Sequence, residues 1–118
     1  MLQAGEDTGT ENRFNGTGGL RIFYRSWQPA ESPRGVVVLV HGFNSHSGYY
    51  IWTANRLVAS GLAVYALDLR GRGQSDGERF YVDSFADYVS DVSGVVAIAR
   101  SAHPGLPLFL LGHSAGGV

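Results

Sequence analysis

Ser114 is the residue in this chain best placed to do chemistry. It stands in Leu108-Phe109-Leu110-Leu111-Gly112-His113-Ser114-Ala115-Gly116-Gly117-Val118, where an apolar run stops at a glycine and a serine follows two residues later. Gly112 and Gly116 flank it as G-x-S-x-G, the form of a nucleophile elbow. The run reads as a buried parallel strand, and the turn after it lifts the serine out of the sheet. Side chains at the two glycine positions would collide with neighbouring backbone. A serine hydroxyl at its ordinary pKa is a weak nucleophile. It needs a base to take its proton and donors to hold the oxyanion that forms.

Donors are expected from two places. The helix that should begin near Ala115 points its first amides at the serine, and the residue after a nucleophile commonly supplies one N–H. The second is assigned to the backbone N–H of Phe43, in the turn that His41-Gly42 opens after another apolar run, Val36 to Val40. The oxyanion hole is thus read as the N–H groups of Phe43 and Ala115, with the Phe43 side chain as pocket wall. The pocket around a substrate is assigned to His41, Gly42, His46, Tyr49 and His113. Neither His41 nor His113 is read as the general base. His113, next to the serine in sequence, should project away from its hydroxyl, and His41 should fix its loop by hydrogen bonds. His46 is open between pocket lining and plain surface, and His103 is expected to be exposed.

Asp68 ends a third apolar run, Leu62 to Leu67. An acid there could orient a histidine, but with Arg70, Arg72 and Asp76 it reads better as part of a hydrogen-bonded turn. The glycine-rich stretch Gly71 to Gly77 lacks the lysine of a phosphate-binding loop and opens no helix directly, so a nucleotide site is not expected. No histidine pair has metal-ligand spacing, and neither a metal nor a cofactor is expected. Trp27 and Trp52 read as packing residues.

The elements that must hold these residues follow from periodicity. Leu20 to Trp27 alternates, with Leu20, Ile22, Tyr24 and Ser26 on one face and Arg21, Phe23, Arg25 and Trp27 on the other. With Arg13-Phe14 and the turn Asn15 to Gly19 it predicts a half-buried antiparallel edge hairpin. Gln28 to Gly35 is a loop. Val36–Val40, Leu62–Leu67 and Leu108–Leu111 are apolar on both faces, as interior parallel strands are. Between them, Tyr50 to Ser60 predicts a helix ended by Gly61. A second runs from an N-cap at Ser84, with Asp87 three residues on, to about Ser101. The fold class is therefore α/β: a mostly parallel sheet flanked by helices, with an N-terminal antiparallel hairpin. In such sheets ligands gather beyond the C-terminal strand ends. Loops 41–48, 68–77 and 112–116 share that rim, and the motif-like residues fall in them.

Composition narrows the partners. The 118 residues are 44% hydrophobic and 16% charged with a net charge of −1, which gives no electrostatic case for nucleic acid or an anionic membrane. The chain has no cysteine, hence no disulfide and no thiolate metal site. No apolar run approaches the ~20 residues that span a bilayer. Residues 1–12, polar and acidic, lack the basic start and apolar core of a signal peptide. They read as a disordered tail before a domain from residue 13 to 118, and the expected location is cytoplasmic.

Several segments together resemble the α/β-hydrolase superfamily, and within it the monoacylglycerol lipase and lysophospholipase branch. They are Val37 to Gly42, Ser45 to Tyr50, Asp68 to Arg79, Phe85 to Val92 and Gly112 to Gly117, in family order. The resemblance implies Ser114 as nucleophile, an oxyanion hole from Phe43 and Ala115, a mobile cap and an acyl-ester substrate. Family members often carry an acidic residue and an arginine around the second histidine of the H-G…H-S-G loop; here those places hold Ser45 and Tyr49. The family's cap, catalytic acid and catalytic histidine would lie beyond Val118. Residues 13–118 therefore read as the N-terminal half of a hydrolase core, with the strand ending at Leu111 left as an open apolar edge. The expected partner is the remaining C-terminal part, as a separate segment or chain. The alternatives are a catalytically incomplete pairing module, or acyl transfer or peptide hydrolysis on the same elbow.

Overall fold

In the computed structural model, residues 7–41, 47–71, 73–77 and 85–112 are described, Tyr49 and Phe85 by their backbone alone. The strands are β1 (Thr10–Asn15), β2 (Arg21–Trp27), β3 (Val36–Val40), β4 (Ala63–Leu67) and β5 (Leu108–Gly112). The helices are α1 (Ile51–Ala59) and α2 (Phe85–Ala102). The sheet order is β1-β2-β4-β3-β5. β1 with β2 and β2 with β4 are antiparallel; β3 is parallel to both β4 and β5.

The chain leaves β3 through α1 to β4 on one side, then returns through α2 to β5 on the other. Strand alternation shows that the two helices cover opposite faces. Val36, Val38 and Val40, with Ala63, Tyr65 and Leu67, pack beneath Tyr88, Val95 and Ala99 of α2. Val37 and Leu39, with Val64 and Ala66, pack beneath Ile51 and Ala54 of α1. The unbroken apolar runs of β3 and β4 are thus explained by two coverings, one for each parity. At the end of α1, Gly61 takes φ +91°, and the Leu62 N–H reaches back to the Leu57 carbonyl at 3.2 Å. This is a helix stop that an L side chain would strain.

Two expectations need correction. Part of the tail read as disordered is ordered: β1 begins at Thr10, and before it three hydrogen bonds tie Asp7 to Trp27 and Asn55. The Trp27 Nε1–H and the Asn55 Nδ2–H both donate to its carbonyl at 2.8 Å, and its N–H donates to Asn55 Oδ1 at 3.1 Å. Polar composition says little about a segment whose order comes from ladder and side-chain hydrogen bonds; residues 1–6 lie outside the described residues. The antiparallel hairpin stands at the edge of the sheet as expected, with β1 outermost and β2 between β1 and β4, where Ile22, Phe23 and Trp27 are buried. Finally, β5 is a strand, but not a buried one. Phe109, Leu110 and Leu111 are each more than half exposed, because among the described residues β5 pairs only with β3 and carries neither helix squarely over it.

Candidate active site

The register of the three parallel strands sets the rim. Val40 lies opposite Leu67 on one side and opposite Gly112 on the other. The ends of β3, β4 and β5 at Val40, Leu67 and Gly112 therefore lie on one line, on strands spaced about 4.8 Å apart. β3 and β5 are neighbours, so the segment leading to Phe43 and the segment leading to Ser114 start side by side. Ser114, Ala115, Gly42, Phe43, His46 and His113 themselves lie outside the described residues, as does the side chain of Tyr49.

His41 is fully buried, and its Nε2 accepts the Leu69 N–H at 3.0 Å. That places the ring proton on Nδ1 and makes His41 a brace between the exits of β3 and β4, the loop-fixing role its position suggested. Asp68, also buried, spreads its carboxylate over two loops. Oδ1 accepts the Ser47 N–H at 2.5 Å, and Oδ2 accepts the Gln74 N–H at 2.9 Å. The Ser75 hydroxyl donates to the Asp68 carbonyl and accepts the Phe23 N–H at 2.8 Å, tying the turn back to β2. Asp76 completes the fastening: its carboxylate accepts the Arg21 N–H at 3.1 Å, and its own N–H donates to the Arg21 carbonyl at 2.9 Å. Of the turn expected from Asp68, Arg70, Arg72 and Asp76, Asp68 and Asp76 take part as read, while Arg72 lies outside the described residues. Arg70 points the other way, into α2. There Asp91 accepts from Nε at 3.0 Å and from Nη2 at 2.8 Å, and Asp87 stands 3.9 Å from Nη1. The hydrogen bonds it donates to Asp91 hold the guanidinium more firmly protonated than usual, against the opposing effect of burial.

Ser47, Arg25 and Asp91 were not singled out from sequence. Asp91 carried a readable signal: it falls among Tyr88, Val92 and Val95 on the apolar stripe of α2, where a carboxylate requires a partner. Ser47 and Arg25 carried none, because their meeting (Arg25 Nε to Ser47 Oγ, 3.2 Å) depends on strand order. His103 is not exposed as expected. It is half-buried, with Nε2 3.1 Å from the Tyr65 hydroxyl and its ring edge-on to that tyrosine, because the end of α2 brings it back over β4. Trp27 is buried, as a packing residue should be, whereas Trp52 is 54% exposed beneath the Arg56 guanidinium.

The family model described as Serine aminopeptidase, S33 matches residues 31–118. The chain belongs to this hydrolase family. It is 49% identical to a monoacylglycerol lipase of Mycolicibacterium smegmatis over 110 residues, 93% of this chain and 39% of that one. It is 43% identical to the human monoglyceride lipase over 99 residues, 84% of this chain and 33% of that one. Among solved structures, a soluble variant of the Saccharomyces cerevisiae monoglyceride lipase, in complex with a substrate analogue, superposes with a TM-score of 0.85. That match has 26% identity and covers 98% of this chain and 38% of that one. The fold is the N-terminal portion of an α/β-hydrolase, in the monoacylglycerol lipase-like branch. The chain spans between a third and two-fifths of the length of these relatives.

Proposed function

We propose that this chain carries the nucleophile and oxyanion-hole portion of a serine hydrolase that cleaves carboxylic esters of lipid-like substrates. The Ser114 hydroxyl attacks the ester carbonyl, and its proton passes to a histidine outside these residues, oriented by an acid also outside them. The carbonyl oxygen becomes an oxyanion held by the N–H groups of Phe43 and Ala115. The C–O bond to the alcohol then breaks, and the alcohol leaves with the proton from the histidine. Water, deprotonated by the same histidine, attacks the acyl-serine and releases the carboxylic acid and the free serine. The observation that carries this reading is the pairing of Val40 with Gly112, which starts the Phe43 and Ser114 segments on adjacent strand ends. The lipase names of the relatives favour an ester of a lipid alcohol; the family name keeps peptide hydrolysis as a second reading.

The test is a fluorophosphonate probe on the complete protein, with the modified peptide mapped. Labelling at Ser114, lost in Ser114→Ala, is expected; labelling that survives the substitution would rule out this nucleophile. Rates on p-nitrophenyl esters of increasing chain length, set against aminoacyl p-nitroanilides, separate the lipid-ester from the peptidase reading. Native mass and esterase activity of the 118-residue chain alone address the pairing-module alternative, which a stable, inactive monomer would favour.

A further inference from the structure

The loop after β3 is fastened at both described ends to the first two residues beyond β4. At one end, His41 Nε2 accepts the Leu69 N–H at 3.0 Å; at the other, Ser47 N–H donates to Asp68 Oδ1 at 2.5 Å. The second Asp68 oxygen accepts the Gln74 N–H, so one buried carboxylate sets the separation of two rim loops. Charge-assisted bonds of this kind, sheltered from water, are the strong and geometrically demanding ones. The arrangement exceeds what folding the β4 turn requires. Ser75 and Asp76 already close that turn onto β2, whereas the Asp68–Ser47 bond reaches across to a different loop.

We propose that Asp68, with His41 as its counterpart at the near end, is a positioning residue for the reaction. The two groups fix the described ends of the loop after β3, His41 and Ser47, against the exit of β4, and so the frame on which the proposed oxyanion donors depend. This rests on the serine-hydrolase reading of the site. Residue type matters. A carboxylate accepts two N–H groups, while the carboxamide of Asp68→Asn must turn its own NH2 against one of them. His41 must present a lone pair at Nε2.

The experiment measures kcat, KM and thermal melting of the complete protein for wild type, Asp68→Asn and His41→Gln, on the ester that wild type turns over best. In parallel it measures affinity for a trifluoromethyl ketone, whose adduct with the serine carries a tetrahedral oxyanion. Misplacing a reacting or stabilising group by even an ångström can cost on the order of 100-fold. A fall in kcat of about 10- to 100-fold with KM little changed is therefore expected at temperatures where the variants are fully folded. Affinity for the ketone should fall by the same factor as kcat/KM, as transition-state binding requires. Unchanged kcat in both variants would overturn the assignment. So would a loss explained at every temperature by the unfolded fraction, or failure of both variants to fold, since the contacts would then serve folding alone. Wild type that does not label at Ser114 would instead retire the serine-hydrolase reading itself.

Discussion

Asp91 grips Arg70 as a fork, one carboxylate oxygen 2.8 Å from Nη2 and the other 3.0 Å from Nε, with the carboxylate sealed from solvent. The second oxygen also accepts the Arg70 main-chain N–H at 3.3 Å. This single contact joins the exit of β4 to the middle of α2, and thus the rim to the helix covering one face of the sheet. Asp87, one helical turn before Asp91, adds a second acid beside the same guanidinium.

Removing one partner of such a pair leaves the other charge buried without compensation. Asp91→Ala is expected to cost about 3–5 kcal/mol in a urea titration, less what Asp87 recovers by moving closer. Asp91→Asn should cost less, since its amide oxygen still accepts. The paired replacement Arg70→Met with Asp91→Leu should be far milder than Asp91→Ala, because it removes both desolvated charges and keeps the volume. A double replacement as damaging as the single one would show that the fork also supplies something apolar packing cannot, such as the exit angle of the rim loop.

The N-terminal segment gives a second expectation. Asn55 of α1 accepts the Asp7 N–H and donates to the Asp7 carbonyl, which also receives the Trp27 indole N–H. Asn55→Ala removes two of these bonds and should lower stability by about 1–2 kcal/mol. It should also speed amide exchange at Asp7 without affecting β3 or β4. Equal exchange at Asp7 in wild type and variant would mean that the segment is ordered by the β1–β2 ladder alone.

Tyr24 supplies a pH dependence. Burial, reinforced by Tyr65 stacked beside it, raises its phenol above the ordinary value of 10.0. The folded protein therefore keeps this proton where the unfolded chain has begun to lose it. The contribution is fully present below about pH 10 and is lost as pH rises from there through the higher folded value. Melting temperature should decline across that alkaline window. Tyr24→Phe should flatten the decline, leaving what the other tyrosines impose; an unchanged slope would contradict the assignment.

What could be read from the chain divides by the range of the forces involved. Val36–Val40 was legible to the residue because both parities are apolar, and Gly61 was legible because a left-handed stop needs a glycine. The rim followed from helical crossovers forcing parallel strands. Strand order was less accessible: nothing local in Arg21–Trp27 says that it pairs with Ala63–Leu67. The same gap hid the meeting of Arg25 with Ser47. Asp68 was recognised as a turn-builder, but its reach to the Ser47 N–H joins the exits of two neighbouring strands and leaves no periodic trace. Leu108–Leu111 shows the converse error. Its apolar pattern predicts burial, while burial itself depends on what lies over the strand.

That exposure leads to the last expectation. In β5, Leu110 pairs with Val38, which faces α2, while Phe109 and Leu111 pair with Val37 and Leu39, which face α1. Large apolar side chains thus stand more than half exposed on both faces of a strand that, among the described residues, has one bonded edge. Such a strand offers both a hydrogen-bonding template and an apolar surface to another chain. The 118-residue chain studied alone should therefore associate as its concentration rises in sedimentation experiments. Phe109→Lys with Leu111→Lys should weaken that association, because it places charge on one exposed face and leaves the β3 ladder intact. If the edge rather than the face drives association, the double lysine variant will associate as wild type does, and a proline at Leu110 will be the effective change only where that residue's N–H points outward. A wild-type chain that stays monomeric at every concentration would show that neither the edge nor these faces drive association between copies of this chain.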